Sequence, residues 1–359
     1  MKSSKTSENV RNTGIILISN IVECLGKTLS KGRIPGAHPF NWNPDLQRLE
    51  MVSGLQESVW RFNMVIAFAH ALFVYIRCIQ IEIDDIPVSS YQRIFMRFMV
   101  AWYTLGPVLH FGIISKRNDI VLFVNQYMET MKNFESKFVK DDATTPKLVT
   151  SVGIVMQIIN YSFRGIWLVM TAGSAARPTS HEQISSLFVN NSSSSLFVPV
   201  IILNAIFMAH NIYIFYSSAS VIVQTPLAAF PLFTILDELN PEKTSITRGE
   251  LRRGPNFIIF YKCILLIVNF GNQIWTETFL PAAKFLMIIS CVLCTCGAFR
   301  MKGLFAVGLG ILAVFTFGFL VMLFTLLAEI HSRSLKLKGW CKSSGIRDPV
   351  FKRALNALP

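Results

Sequence analysis

Six stretches of about 20 mostly apolar residues punctuate the chain, at 64–83, 94–114, 148–171, 197–223, 280–299 and 304–327. A helix of that length crosses the roughly 30 Å hydrocarbon core of a bilayer. The pattern therefore predicts an all-α polytopic membrane protein with six transmembrane helices. A seventh apolar run, "FIIFYKCILLIVNF" at 257–270, is only 14 residues long. It has Lys262 in its middle and is followed by Asn269, Asn272, Gln273 and Glu277.

Charge decides that seventh run. Basic residues in short loops collect on the cytoplasmic side of a membrane. With six spans and a cytoplasmic N-terminus, segments 1–60, 115–147, 224–256 and 328–359 hold 24 of the 34 Lys and Arg residues. The opposite loops hold four: Arg93, Arg177, Arg300 and Lys302. If 257–270 also crossed, the basic segment 328–359 would fall on the wrong side. Residues 255–277 are therefore expected as a cytoplasmic helix running into the span that begins near Leu280. Residues 118–140 are expected as a second cytoplasmic helix, because Ile120, Phe123, Val124, Tyr127, Met131 and Phe134 form a helical stripe. The organisation expected is a cytoplasmic segment 1–63, a bundle 64–327, and a basic cytoplasmic tail 328–359. The protein should be a multi-pass component of the plasma membrane.

Composition agrees and narrows the class. The chain is 52% apolar and 15% charged, against about a quarter charged in soluble domains. An ordinary soluble enzyme is excluded, and the net charge of +13 is accounted for by the cytoplasmic segments, so no nucleic-acid partner is expected. The N-terminus has no apolar core followed by a small-residue cleavage site. Cys291, Cys294 and Cys296 sit within an apolar run, on different faces of a helix, and are expected as small buried residues, with no metal site. None of the six His has a metal-type partner four residues on, and Gly303, Gly308 and Gly310 lack the Lys-Ser/Thr of a phosphate loop. No enzyme activity and no cofactor are expected.

Polar and aromatic residues inside the spans are the candidate chemistry. Asn160, Arg164 and Trp167 share one helical face, with Tyr161 beside them. Asn204 and Phe207 lie in the fourth span, Trp102 and Tyr103 in the second, and Phe315 in the sixth. Each polar residue alone is explained by interhelical hydrogen bonding. Together they predict an aromatic cavity in the outer half of the bundle for a small organic ligand, with Arg164 admitting an anionic or hydrogen-bonding one. The loop 174–197 carries two overlapping acceptor sequons, Asn190 and Asn191, which must face the lumen or the outside to be glycosylated.

Three stretches carry a family resemblance. They are "HPFNWNPDLQRLEM" at 38–51, "RNDIVLFVNQYMETM" at 117–131, and "FYKCILLIVNFGNQIWTETFLPAAKF" at 260–285. With the layout, they resemble the arthropod gustatory and odorant receptor superfamily, seven-span proteins with an intracellular N-terminus. That resemblance implies a cation channel of four subunits, a homo- or hetero-tetramer, opened by a ligand in the outer half of each bundle. It also implies that the cytoplasmic helices form a shared anchor and that a seventh span lines the pore. Six spans use up this chain, and the family's Thr-Tyr-type motif of the last span is absent. The ending "RDPVFKRALNALP" is therefore expected as an interrupted approach to a seventh helix; a polybasic membrane-surface tail is the alternative. Two other classes stay open: a small-solute transporter and a structural membrane protein without a ligand.

Overall fold

The computed structural model describes residues 19–83, 89–140, 143, 147–177, 179–188, 197–228, 230–240, 246–300 and 303–343. Among these residues the chain is helical apart from one short hairpin and an isolated bridge between Val139 and Thr247. The sequon residues Asn190 and Asn191 and the segment 344–359 lie outside the described residues.

The elements in chain order are α1 (Ser19–Arg33), β1 (Phe40–Asn43), β2 (Arg48–Met51), α2 (Leu55–Ile83) and α3 (Ser90–Phe138). They continue with α4 (Lys147–Ala176), α5 (Phe197–Leu227), α6 (Pro231–Leu239), α7 (Gly254–Ile274), α8 (Leu280–Arg300) and α9 (Leu304–Ser343). The expected segments 94–114 and 118–140 prove to be one unbroken helix. The 49 residues of α3 extend for about 74 Å. A capping box starts α3: Ser89 accepts from the Gln92 amide, and the Gln92 side chain accepts from Ser89 N–H. Helix α7 passes through a five-residue π turn, Trp275–Phe279, straight into α8. Together they make a second continuous rod, about 70 Å long.

Two ion pairs mark a waist across the molecule. Arg117 of α3 meets Glu57 at the start of α2 at 3.1 Å, and Lys116 meets Glu277 of the π turn at 2.5 Å. The end of the molecule carrying the top of α2 and the start of α3 lies above this waist. Lower α3, α6 and α7 lie below it. Helix α9 comes down beside α8, with Lys284 4.9 Å from the Phe324 ring, and continues along α6.

Each half packs a core and also exposes apolar side chains, which below the waist include Leu122 of α3 and Ile259 and Leu266 of α7. Below the waist Ile120, Phe123, Val124, Tyr127, Met131 and Phe134 of α3 are all buried, and Phe260 of α7 packs on Phe134 and Phe138 at 5.6 and 4.9 Å between ring centres. That is a conventional protein core. Above the waist large side chains stand exposed, among them Phe62 and Leu72 of α2, Leu203 of α5, Val292 of α8 and Val314 of α9. Apolar surface on that scale needs cover from a lipid or a partner.

Among the described residues six helical segments are long and apolar enough to cross a membrane. They are Leu55–Ile83, Gln92–Phe138, Val149–Ala176, Val198–Thr225, Pro255–Glu277 and Leu280–Arg300. This is compatible with an all-α polytopic protein embedded in a membrane. The set includes α7, and among the described residues of α9 the apolar stretch is Ala306–Gly318, inside the expected span 304–327. Helices α7 and α8 form one rod without a reversal.

The N-terminal segment docks beside the bundle. Asn125 of α3 clamps the hairpin: Leu49 N–H donates to Asn125 Oδ1 at 2.7 Å, and Asn125 Nδ2 donates to the Leu49 carbonyl at 2.9 Å. Helix α1 lies against α4 and α5, and Arg33 at its end reaches Gln56 at 3.0 Å, level with the waist.

Candidate ligand cavity

A cavity of about 200 Å³ lies at and just above the waist, enclosed by α3, α4, α5, α8 and α9 and floored by the π turn. Helical periodicity builds its walls. Trp102, Leu105 and Leu109 face it from α3; Ile159, Phe163 and Ile166 from α4; Phe215, Ala219 and Ile222 from α5. Each set follows spacings of three or four residues, which fall on one side of a helix. Met287 and Ser290 of α8 and Phe315 and Thr316 of α9 close the remaining side, with Trp275 and Phe279 below. The aromatic rings interlock: Trp102 lies 5.5 Å from Phe215, Phe163 lies 5.6 Å from Tyr216, and Trp275 lies 5.1 Å from Phe279.

Among the described residues the lining contains no Asp, Glu, Lys, Arg or His. Its polar groups are few, and two are satisfied within their own helices. Thr316 Oγ1 donates to the Leu312 carbonyl at 2.8 Å, and Thr276 Oγ1 to the Asn272 carbonyl at 2.6 Å. Among the described residues, the buried Trp275 Nε1 has no hydrogen-bond partner. The Tyr216 hydroxyl is buried near the Trp102 indole without a hydrogen bond of ordinary geometry. A charged ligand would lose its hydration here and meet no counter-charge, which is costly. The cavity is chemically suited to an uncharged, mainly apolar molecule that accepts a hydrogen bond. Its volume is below the 300–1,000 Å³ of drug-sized sites, so the molecule is small.

The nine residues expected to share one cavity fall into three places. Trp102 and Phe315 line the cavity just described. Tyr103, Asn204 and Phe207 belong to a separate cluster higher in the bundle. There the His70 ring stands 4.5 Å from Tyr103 and 5.5 Å from Phe207. Asn204 donates to Gln183 and accepts from Ser185 N–H at 3.4 Å, fastening the segment 179–188 onto the bundle. In that segment Glu182 is buried, and burial raises its carboxyl above the usual carboxylate range.

Asn160, Tyr161, Arg164 and Trp167 lie on the α1 side. Asn160 Oδ1 accepts from Gln224 Nε2 at 2.7 Å and from Ser220 Oγ at 3.0 Å, while its Nδ2 donates to Thr28 Oγ1 at 2.9 Å. It is a rivet between α1, α4 and α5. Trp167 Nε1 donates to the Ala209 carbonyl at 2.9 Å. Arg164 and Tyr161 are exposed, with the guanidinium 5.7 Å from the Tyr161 ring centre.

The Asn160–Arg164–Trp167 face turns toward α1 and α5, with Asn160 and Trp167 bonded to α5 and Arg164 exposed, and does not line the cavity that holds Trp102 and Phe315. The inward face of α4 is Ile159–Phe163–Ile166, one residue and about 100° round. Polar residues drew attention to the neighbouring face because intramembrane polarity is costly. Near the waist, beside the polar helix α1, that cost is removed by hydrogen bonds. Phe163, Phe215 and Trp275 were missed, and their signal was the same three-and-four spacing carried by apolar residues.

Comparison of the chain with protein families, curated proteins and solved structures finds no match.

Proposed function

We propose that the chain is a chemosensory receptor subunit of the ligand-gated cation-channel type, with a small uncharged organic molecule as its ligand. The observation that carries this reading is the placement of the cavity over a joint. Its floor is the π turn that connects α8 to α7. Phe279 of that turn lies against Gly112 of α3, and α7 below packs on lower α3 through Phe270 and Phe123, 6.2 Å apart. Filling the cavity presses on the turn, and a shift of the turn moves α7 along α3. An apolar site is thereby coupled to the helical pair below the waist. Coupling of this kind belongs to a receptor, which has to report occupancy, more than to an inert structural protein.

The resemblance to arthropod gustatory and odorant receptors supports the same reading, as does the distribution of basic residues. In this proposal the half below the waist is cytoplasmic, the protein is multi-pass in the plasma membrane, and subunits assemble as a homo- or hetero-tetramer. The test is whole-cell recording from cells expressing the full chain, alone and with candidate partner subunits, during application of uncharged aromatic alcohols and aldehydes. A saturable current that disappears in Ser290→Trp, which fills the cavity, supports the proposal. Solute uptake without a ligand-evoked current favours a transporter and opposes it.

A further inference from the structure

A second cleft, of about 310 Å³, opens between α1 and α4 and has the opposite chemistry. Lys27 and Lys31 of α1 and Arg164 of α4 line it, along with Glu23 and the amides of Gln157 and Asn160. Among the described residues Glu23 is the one acid in the lining, and Lys27 is paired with it. Among the described residues no carboxylate pairs with Lys31 or Arg164. The two cations stand close enough to repel: the Lys31 ammonium is held below its ordinary pKa, first by partial burial and then by Arg164. Two like charges on one cleft, with no paired carboxylate among the described residues, favour an anion there.

The surroundings identify the anion. Arg33 at the end of α1 meets Gln56 at the start of α2, so the cleft lies level with the waist. Beside it, α4 turns Ile154, Ile158, Leu168 and Val169 outward, each between 52% and 71% exposed. The cleft is thus continuous with an apolar strip running above and below it. A soluble anion has no use for that strip, whereas acyl chains cover it.

We infer that the cleft between α1 and α4 holds the phosphate headgroup of an anionic phospholipid, with Lys31 and Arg164 as its cationic contacts and the acyl chains along α4. Lipid bound there bridges α1 to the bundle from outside, as Asn160 does from within. It ties the N-terminal helix to the membrane surface and to the composition of that leaflet.

The test is native mass spectrometry of the full-length chain in detergent, titrated with equal amounts of phosphatidylserine and phosphatidylcholine. The wild type should retain one phosphatidylserine in preference to phosphatidylcholine. Removing one charge, in Lys31→Gln or Arg164→Gln, should lower that preference about fivefold, and the double variant about 25-fold. Arg164→Lys should keep most of it, and Lys262→Gln, on the exposed side of α7, should leave it unchanged. Lys31 and Arg164 are exposed, so the variants should fold, and circular dichroism with gel filtration checks that they do. A double variant with wild-type preference overturns the site. Displacement of the bound lipid by an equal concentration of glycerophosphoserine also overturns it, because the cleft would then be a site for a soluble phosphate.

Discussion

The tightest contact at the proposed joint is Gly112 against Phe279, and replacing that glycine should alter ligand binding without touching the ligand. A Cβ at position 112 would lie 2.4, 2.7 and 2.9 Å from three carbons of the Phe279 ring. Ordinary carbon contacts are about 3.5–4.0 Å, so the ring must retreat by about 1 Å. The ring is buried, but one side of it borders the cavity, and that is its open direction. Overpacking in a closed core costs about 1–3 kcal/mol; with space to retreat into, the cost for Gly112→Ala should be near the low end, about 1 kcal/mol. That corresponds to a fall of about 2 °C in unfolding temperature. The displaced ring takes space from a cavity of about 200 Å³, and affinity for a neutral probe should fall about five- to tenfold, the equivalent of about 1–1.4 kcal/mol. Gly112→Leu should abolish binding. The assay is quenching of intrinsic tryptophan fluorescence by benzaldehyde, with Trp102 and Trp275 in the cavity wall, alongside thermal unfolding of the purified chain. Unchanged affinity in both variants would refute the placement of the ligand above Phe279.

Other elements carry their own expectations. Asn160→Leu leaves Gln224 and Thr28 short of partners in a buried site and should destabilise by about 1–3 kcal/mol, read as faster hydrogen exchange in α1. Phe260→Ala removes a ring packed on Phe134 and Phe138 and should cost about 3–5 kcal/mol, read as protease sensitivity of the lower half. Glu182 has its carboxyl raised by burial, so the folded state holds its proton at pH values where the unfolded chain has released it. Stability therefore falls as pH rises from the ordinary carboxylate value through the raised one. Proteolysis of the segment 179–188 should be slower at pH 5 than at pH 7.5, and Glu182→Gln should remove the difference.

Much of the helical layout was legible because it follows from period and charge. The stripe from Ile120 to Phe134 was visible as a 3.6-residue repeat, and every member of it is buried below the waist. The continuity of 255–277 into the helix beginning at Leu280 was expected from the charge balance and is what the fold presents. Other features had no local signal. Helix α1 is mostly polar, and its hydrogen-bond partners Asn160 and Gln224 lie 132 and 196 residues from Thr28 in sequence. The hairpin at 40–51 depends on the Asn125 clamp, which only tertiary structure supplies. The candidate site was half legible. Trp102 and Phe315 stood out as aromatics on the right helices, but the inward face of α4 is apolar and looks like any other buried face. Depth was the larger obstacle: α3 runs far below the waist, so α4 begins low and Asn160 and Arg164 come level with α1.

The central claim is that an uncharged molecule occupies the cavity above the π turn. Its most direct test is to titrate the purified full-length chain with benzaldehyde and with benzoate, nearly equal in size but differing by one charge, and to follow tryptophan fluorescence in the wild type and in Ser290→Trp. Saturable quenching by benzaldehyde, weaker by at least tenfold for benzoate and lost in Ser290→Trp, is the predicted result. Equal binding of benzoate, or benzaldehyde binding that survives Ser290→Trp, would contradict it.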